Sequence, residues 1–322
     1  MENWMRRGMS MALALLLLCS LFTFSVFADE TETTPENTGF TVDTETELYK
    51  ALDEASKTLS ARQILVYDST NDQLLYTKAP ESGKLYPASV TKLFTCYVAL
   101  GILDPSKVVT AGSELNLVAE DSSKAYIYRN QQVTVKMLVG GMMMPSGNDA
   151  AMIMAAAAGR KLAGDSRMPG EEAVRTFVEE MNRQAEELGF EKTHFVTPDG
   201  YHMGAHYTCI NDMIRIAELA LDNEIIRRYM GYYDLNLTYV SGQSNTWINT
   251  NQLLNKKGEF YCEDAIGMKT GHTGQAGYCL MSAFEIEDKT IVIGVFGCKD
   301  KNARFSDSVV LRNVYKQSIS VG

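Results

Sequence analysis

The sequence predicts a mixed α+β domain in which strands from both ends of the chain share one antiparallel sheet and helices cover it. Three observations carry this expectation. Short apolar runs flank turn-forming residues at 63–67 and 73–76, and again at 278–286 and 290–296, so a hairpin is expected near each end. Between them, apolar residues recur at helical rather than alternating spacing. No stretch rich in Pro, Gly or Ser divides residues 47–322, which therefore read as one unit.

In chain order, Arg6 and Arg7 precede an uncharged run, 8–28, that ends in the small residues Val26 and Ala28. That layout predicts a secretory signal peptide over 1–28, with an uncleaved membrane anchor as the alternative. Either one puts the rest of the chain outside the cytoplasm. Residues 29–46 are acidic and Thr-rich without an apolar period, and are expected to form a flexible tether. Residues 89–100 carry Leu93, Cys96, Tyr97 and Leu100 at helical spacing, with Gly101 as a natural stop. The Met- and Ala-rich stretch 137–158, broken by Pro145-Ser146-Gly147, predicts two buried helices meeting at a turn. Val174, Phe177, Val178, Met181, Ala185 and Leu188 mark an amphipathic helix. Residues 308–318 close the chain as a helix, after which nothing is left for a second domain. The tyrosines between 229 and 239 read as packing surface rather than a sugar platform.

With 45% hydrophobic and 22% charged residues, the 322-residue chain has an ordinary globular composition. Its net charge is −10, and no basic run occurs beyond the first ten residues. Nucleic acid is thereby excluded as a partner, because phosphate contacts need clustered Lys and Arg. Of six cysteines, Cys19 lies in the leader. Cys96, Cys209, Cys262, Cys279 and Cys298 are odd in number, so at least one thiol lacks a partner within the chain. Most are expected to be small buried groups, and a single disulfide stays open. His194, His202 and His206 fall close together, but no His-Glu-x-x-His occurs. Neither a metal nor a cofactor is expected.

Three short motifs can carry chemistry. Ser89-Val90-Thr91-Lys92 opens a helix. There the dipole favours a developing alkoxide, and a Lys one turn along shares the face of the hydroxyl. Desolvation can leave that amine neutral and able to act as a base. Read alone, the same residues are a helix-capping Ser and a surface Lys. Ser146-Gly147-Asn148 can aim a hydroxyl and an amide into one cleft, although turns use these residues anyway. Lys269-Thr270-Gly271, followed by His272 and Thr273, offers a cation and hydroxyls beside a strand edge, a site for a carboxylate. By itself it is equally a polar edge strand.

Together and in this order the three are the signature of penicillin-binding proteins and class A β-lactamases. The wider wording resembles one branch: YPASVTKLFT at 86–95, SGNDAA at 146–151, FVTPDGYHMGAHY at 195–207 and GMKTGHTGQAGYCL at 267–280. That branch is the low-molecular-mass penicillin-binding proteins, the serine-type D-alanyl-D-alanine carboxypeptidases. The resemblance runs over about residues 48–314. It implies a β-lactamase/transpeptidase-like fold whose active site lies between the sheet and a helical subdomain, so that residues 47–322 form the catalytic domain.

The resemblance also implies roles. Ser89 becomes the acylated nucleophile and Lys92 its general base. Ser146 passes a proton to the leaving amine, and Asn148 holds Lys92 and the substrate amide. Lys269, Thr270 and Thr273 bind the terminal carboxylate, with Arg304 as an additional carboxylate ligand. The backbone N–H groups of Ser89 and His272 form an oxyanion hole against Gly271. The implied substrate is the peptidoglycan stem pentapeptide, the implied inhibitors are β-lactams, and the implied location is the cell wall or outer membrane face. No Glu-x-x-Leu-Asn follows Asn148 before Lys269, which argues for slow release of a penicilloyl adduct. The chain ends at the catalytic helix, so any membrane attachment is expected at the N-terminus. The alternatives are a β-lactamase or D,D-endopeptidase on the same scaffold, or a wall-binding protein without turnover.

Overall fold

The computed structural model describes residues 39–78 and 83–321. The expected signal peptide or anchor, and residues 29–38 of the expected tether, lie outside these residues. The remainder of the tether is not free. Phe40 sets its ring edge-on to Tyr67 at 5.5 Å, and Val42 packs on the same core.

The central sheet joins the two chain ends. Strands β1 (Gln63–Asp68) and β2 (Gln73–Lys78) form the first hairpin, and β9 (Gly277–Ile286) and β10 (Lys289–Cys298) form the last. β1 pairs antiparallel with β10, Gln63 opposite Phe296 and Asp68 opposite Ile291. The sheet order is β2-β1-β10-β9-β7, where β7 is Ala265–Gly267; β8 (Thr270–Thr273) also pairs with β9. Both hairpins therefore occur where the apolar runs predict them. The runs are nearly unbroken because the inner strands are covered on both faces, so either side of the pleat must be apolar. Ile64, Val66, Ile291 and Ile293 face α1 (Glu47–Ser56) and α8 (Ala303–Val321). Leu65, Tyr67 and Val292 face a larger helical layer.

That layer is built on α2 (Lys92–Ile102), α3 (Val135–Met143), α4 (Asn148–Ala163), α5 (Gly170–Glu187), α6 (Ile210–Asp222) and α7 (Glu224–Met230). Two small antiparallel ribbons flank it, β3 (Val108–Thr110) with β4 (Gln132–Thr134) and β5 (Asp234–Thr238) with β6 (Ser244–Ile248). α5 buries Val174, Phe177, Val178, Met181 and Ala185, as its spacing predicts. It crosses α4 so closely that a Cβ on Gly159 would sit 1.9 Å from the Ala173 carbonyl oxygen. Along the tyrosine stretch, Tyr229 lies edge-on to Tyr232 and the buried Tyr239 packs on Trp247. The five described cysteines are all free and buried, so the open disulfide does not form among them.

Two boundaries differ from expectation, each for a local reason. Gly101 does not stop α2, which runs to Ile102 and ends at an extended Leu103 just before Asp104-Pro105. A proline disfavours helix in the residue preceding it, and Gly101 merely occupies open space. The last helix begins at Ala303 rather than 308, because Asp300 Oδ1 accepts the N–H groups of Asn302 and Ala303 and caps it. The early start brings Arg304 into the first turn.

Gly159→Ala should lower the urea midpoint by the equivalent of about 1–3 kcal/mol, the usual cost of overpacking. Gly101→Ala, on an exposed turn with nothing within 4 Å, should hold or raise it by up to about 1 kcal/mol. Equal midpoints for the two variants would mean that the helix crossing is looser than described.

Candidate active site

Ser89 lies in a 3₁₀ turn, Ala88–Thr91, that leads directly into α2, and Lys92 is the first residue of the α-helix. The single turn between them brings Lys92 Nζ to 2.8 Å from Ser89 Oγ. The same amine donates to Asn148 Oδ1 at 2.8 Å and to the Asp199 carbonyl at 2.8 Å. Three segments remote in sequence thus meet on one nitrogen. Lys92 is fully buried, and that burial lowers its pKa from the usual lysine range to about 8. A hydroxyl in contact with an amine that loses its proton near neutrality can be deprotonated to attack a carbonyl.

Asn148 opens α4, and its position depends on Asp149 beside it. The buried Asp149 carboxylate accepts the N–H groups of Ala125 at 2.8 Å and Ile127 at 3.0 Å, tying the 121–127 loop to the helix. Burial pushes its carboxyl upward while those N–H groups pull it down. The Asp199 carbonyl is held by a loop whose Gly200 adopts φ +77°, next to the Ala88 carbonyl. His206 pins that loop from beneath. Its Nδ1 accepts from Val196 N–H, so Nε2 carries the proton and donates to Thr91 Oγ1 at 2.9 Å. Burial, with smaller contributions from nearby cations, drives the His206 pKa down to about 3, which keeps the ring neutral.

β8 supplies the opposite wall. A Cβ on Gly271 would lie 2.8 Å from the Pro87 carbonyl and 3.3 Å from Ser89 N, so glycine is what lets strand and turn come together. Backbone strain concentrates here. Ala88, Ser146 and Met268 all adopt positive φ, at 49°, 64° and 82°. Each costs about 1–2 kcal/mol for a residue with a Cβ, and each is next to or within one of the three motifs.

Between these walls runs a cleft of about 600 Å³. Of the residues singled out in the sequence, Ser89, Ser146, Asn148, Thr270, Gly271, His272, Thr273 and Arg304 line it. Lys92 lies just below Ser89. Lys269 departs from the expected direct contact with a carboxylate. It is fully buried and its Nζ donates to the Thr270 carbonyl at 2.8 Å. Burial first, then Lys92 and Arg304, hold its pKa well below the usual value. Thr273 Oγ1 accepts the Ala276 N–H, and Thr270 Oγ1 meets Thr250 Oγ1 at 2.6 Å. Arg304 is the cation on the cleft wall that is both buried and incompletely bonded. Nη1 donates to the Gly271 carbonyl at 3.2 Å, while Nε is buried without a partner among the described residues. A carboxylate would complete it. His272 stacks on Tyr278 with ring centroids 4.0 Å apart, and burial and Arg304 lower its pKa. The His194, His202 and His206 grouping does not converge, and among the described residues no cluster could hold a metal.

Sequence reasoning did not single out the Asp199 carbonyl, Thr250, Tyr278 or the Asp121-Ser122-Ser123 rim. The Asp199 stretch was visible as TPDG, but a backbone acceptor has no side-chain signature.

Residues 50–300 match the model of the family described as D-alanyl-D-alanine carboxypeptidase, Peptidase_S11. A D-alanyl-D-alanine carboxypeptidase of Streptomyces sp. strain K15 is 32% identical over 248 residues, 74% of this chain and 81% of the relative. D-alanyl-D-alanine carboxypeptidase DacF of Bacillus subtilis is 29% identical over 250 residues, 76% of this chain; the match spans 60% of that longer relative. Among solved structures, the Streptomyces K15 DD-transpeptidase superposes with TM-score 0.71 at 32% identity, covering 80% of this chain and 97% of that one. DacD of Francisella tularensis gives TM-score 0.67 at 25% identity, covering 80% and 70%. The chain belongs to the D-alanyl-D-alanine carboxypeptidase family of serine peptidases, and its fold is the mixed α+β fold of those structures.

If neutral Lys92 activates Ser89, acylation should accelerate as pH rises and level off above about 8. Below that value the rate should fall about tenfold per pH unit. Rates of penicillin acylation measured across the range check this. A flat profile down to about pH 6 would remove Lys92 from the proton transfer.

Proposed function

We propose that this family member is a serine D-alanyl-D-alanine carboxypeptidase that removes the terminal D-Ala from peptidoglycan stem pentapeptides and is acylated by β-lactams. One observation carries the reading: Lys92 Nζ is 2.8 Å from both Ser89 Oγ and Asn148 Oδ1, with its pKa brought to about 8. A hydroxyl needing only anchorage has no use for an amine buried in that way.

The reaction runs in two halves. Neutral Lys92 takes the Ser89 proton as Oγ bonds to the carbonyl carbon of the penultimate D-Ala. The oxyanion that forms lies against the N–H groups of Ser89 and His272; one such donor typically contributes about 3–4 kcal/mol. The C–N bond then breaks. The leaving amine receives its proton through Ser146, and D-Ala departs as an amino acid. Water next attacks the ester, giving its proton to Lys92, and Ser89 is restored. Arg304, Thr270 and Thr273 hold the terminal carboxylate, while Lys269 acts from behind β8 through its charge. An amine in place of that water would give transpeptidation, the activity for which the Streptomyces K15 DD-transpeptidase is named. Adding an acceptor amine to the assay therefore belongs with the test. Peptidoglycan lies outside the cytoplasm, which agrees with the leader read at residues 1–28; no described helix is long and apolar enough to cross a membrane.

The purified protein should keep a fluorescent penicillin label and release D-Ala from a peptide ending in D-Ala-D-Ala. Rapid loss of label would instead identify a β-lactamase, and neither label nor release a wall-binding protein. Ser89→Ala should abolish both signals in a folded protein. Lys92→Arg should lower kcat/KM by about 10²–10⁴-fold, because guanidinium keeps its proton.

Arg304→Gln should raise KM for such a peptide by roughly 10-fold or more, the usual value of a charged hydrogen bond. An unchanged KM would put the carboxylate elsewhere.

A further inference from the structure

We propose that the flank of the cleft opposite Arg304 is a cation subsite built on Asp121. It would take the side-chain ammonium of the residue that precedes D-Ala-D-Ala in the substrate. This inference rests on the carboxypeptidase reading and narrows its substrate to peptides with a free amine at that position.

Contacts put the groups in order across the cleft. Arg304 bonds the Gly271 carbonyl, and Gly271 abuts the turn that carries Ser89. Ser89, Lys92 and Asn148 follow as one bonded row. Asn148 N–H then donates to the Ser123 carbonyl at 2.8 Å. Asp121 lies two residues away, at most about 7 Å of extended chain. A peptide that gives its terminal carboxylate to Arg304 and its carbonyl to Ser89 must lead its acyl half toward the Asn148 side, where Asp121 waits.

The chemistry of that side suits an ammonium. Asp121 is the one carboxylate among the described cleft-lining residues. Tyr201 Oη donates to Oδ1 at 3.1 Å, which steadies the side chain and leaves Oδ2 open. Among the described residues no cation lies within ion-pairing distance of it. The neighbouring Lys124 is turned to the Glu120 carbonyl at 2.7 Å. The opposite flank carries Lys301 and Arg304. The cleft is thus polar along its length, positive where the carboxylate binds and negative where the acyl half lies.

The test compares D-Ala release by the purified protein from Nα-acetyl-L-Lys-D-Ala-D-Ala with its ε-amine free or acetylated. The free-amine peptide should be preferred by roughly threefold to fivefold in kcat/KM, carried by KM, as an ion pair open to water supplies. The preference should fade at high salt. Asp121→Asn should bring the ratio close to one, and Tyr201→Phe should reduce it partway; retained penicillin labelling reports that either variant is folded. Equal wild-type rates, or a preference that survives Asp121→Asn, would overturn the subsite alone. Release from neither peptide would overturn the carboxypeptidase reading and the subsite with it.

Discussion

The structure depends on one buried amine. Taking an ammonium out of water is costly unless oxygen acceptors replace its hydration. Lys92 finds three, from its own turn, from the start of α4 and from the Asp199 loop. The three 2.8 Å contacts hold these segments in mutual register, and the same burial brings the amine into the range where it exchanges a proton at neutral pH. Stability and reactivity arise here from one arrangement, so the segments cannot drift apart without losing both.

The rest of the fold supplies what that amine requires. The sheet joins both chain ends and gives β8 a firm neighbour in β9, and β8 in turn confronts Ser89 across a distance that only glycine permits at 271. Asp149 and His206 act one step removed, the first fastening the 121–127 loop and the second the 196–200 loop. The strained backbone at Ala88, Ser146 and Met268 is confined to the same place. Such conformations survive only where surrounding structure overdetermines them, which is the case between packed α2, α4 and β9.

The two buried lysines divide their work by position. Lys92 touches the hydroxyl, whereas Lys269 faces the strand's own carbonyl and reaches the cleft only through its field. Direct carboxylate binding falls instead to Arg304, whose unpartnered Nε leaves it one bond short. Each cation lowers the proton affinity of the next, so a bound carboxylate would relieve the whole group.

Much of this was legible in the residues. Apolar runs and turn residues identified both hairpins, helical spacing identified α2 to α5, and three motifs in order identified Ser89, Lys92, Ser146, Asn148 and the β8 residues as one set. These signals are local, because side-chain type and short-range spacing determine them. Gly101, the start of α8 and the Phe40 contact were misjudged where an extended Leu103 ahead of Asp104-Pro105, an Asp300 cap and a distant Tyr67 outweighed local preference. Only the tertiary structure decided that Lys269 points inward, that Arg304 sits beside Gly271, and that the third acceptor of Lys92 is a backbone carbonyl. Burial, proton affinity and the direction of a main-chain oxygen belong to neighbours far along the chain, and no stretch of sequence carries them by itself.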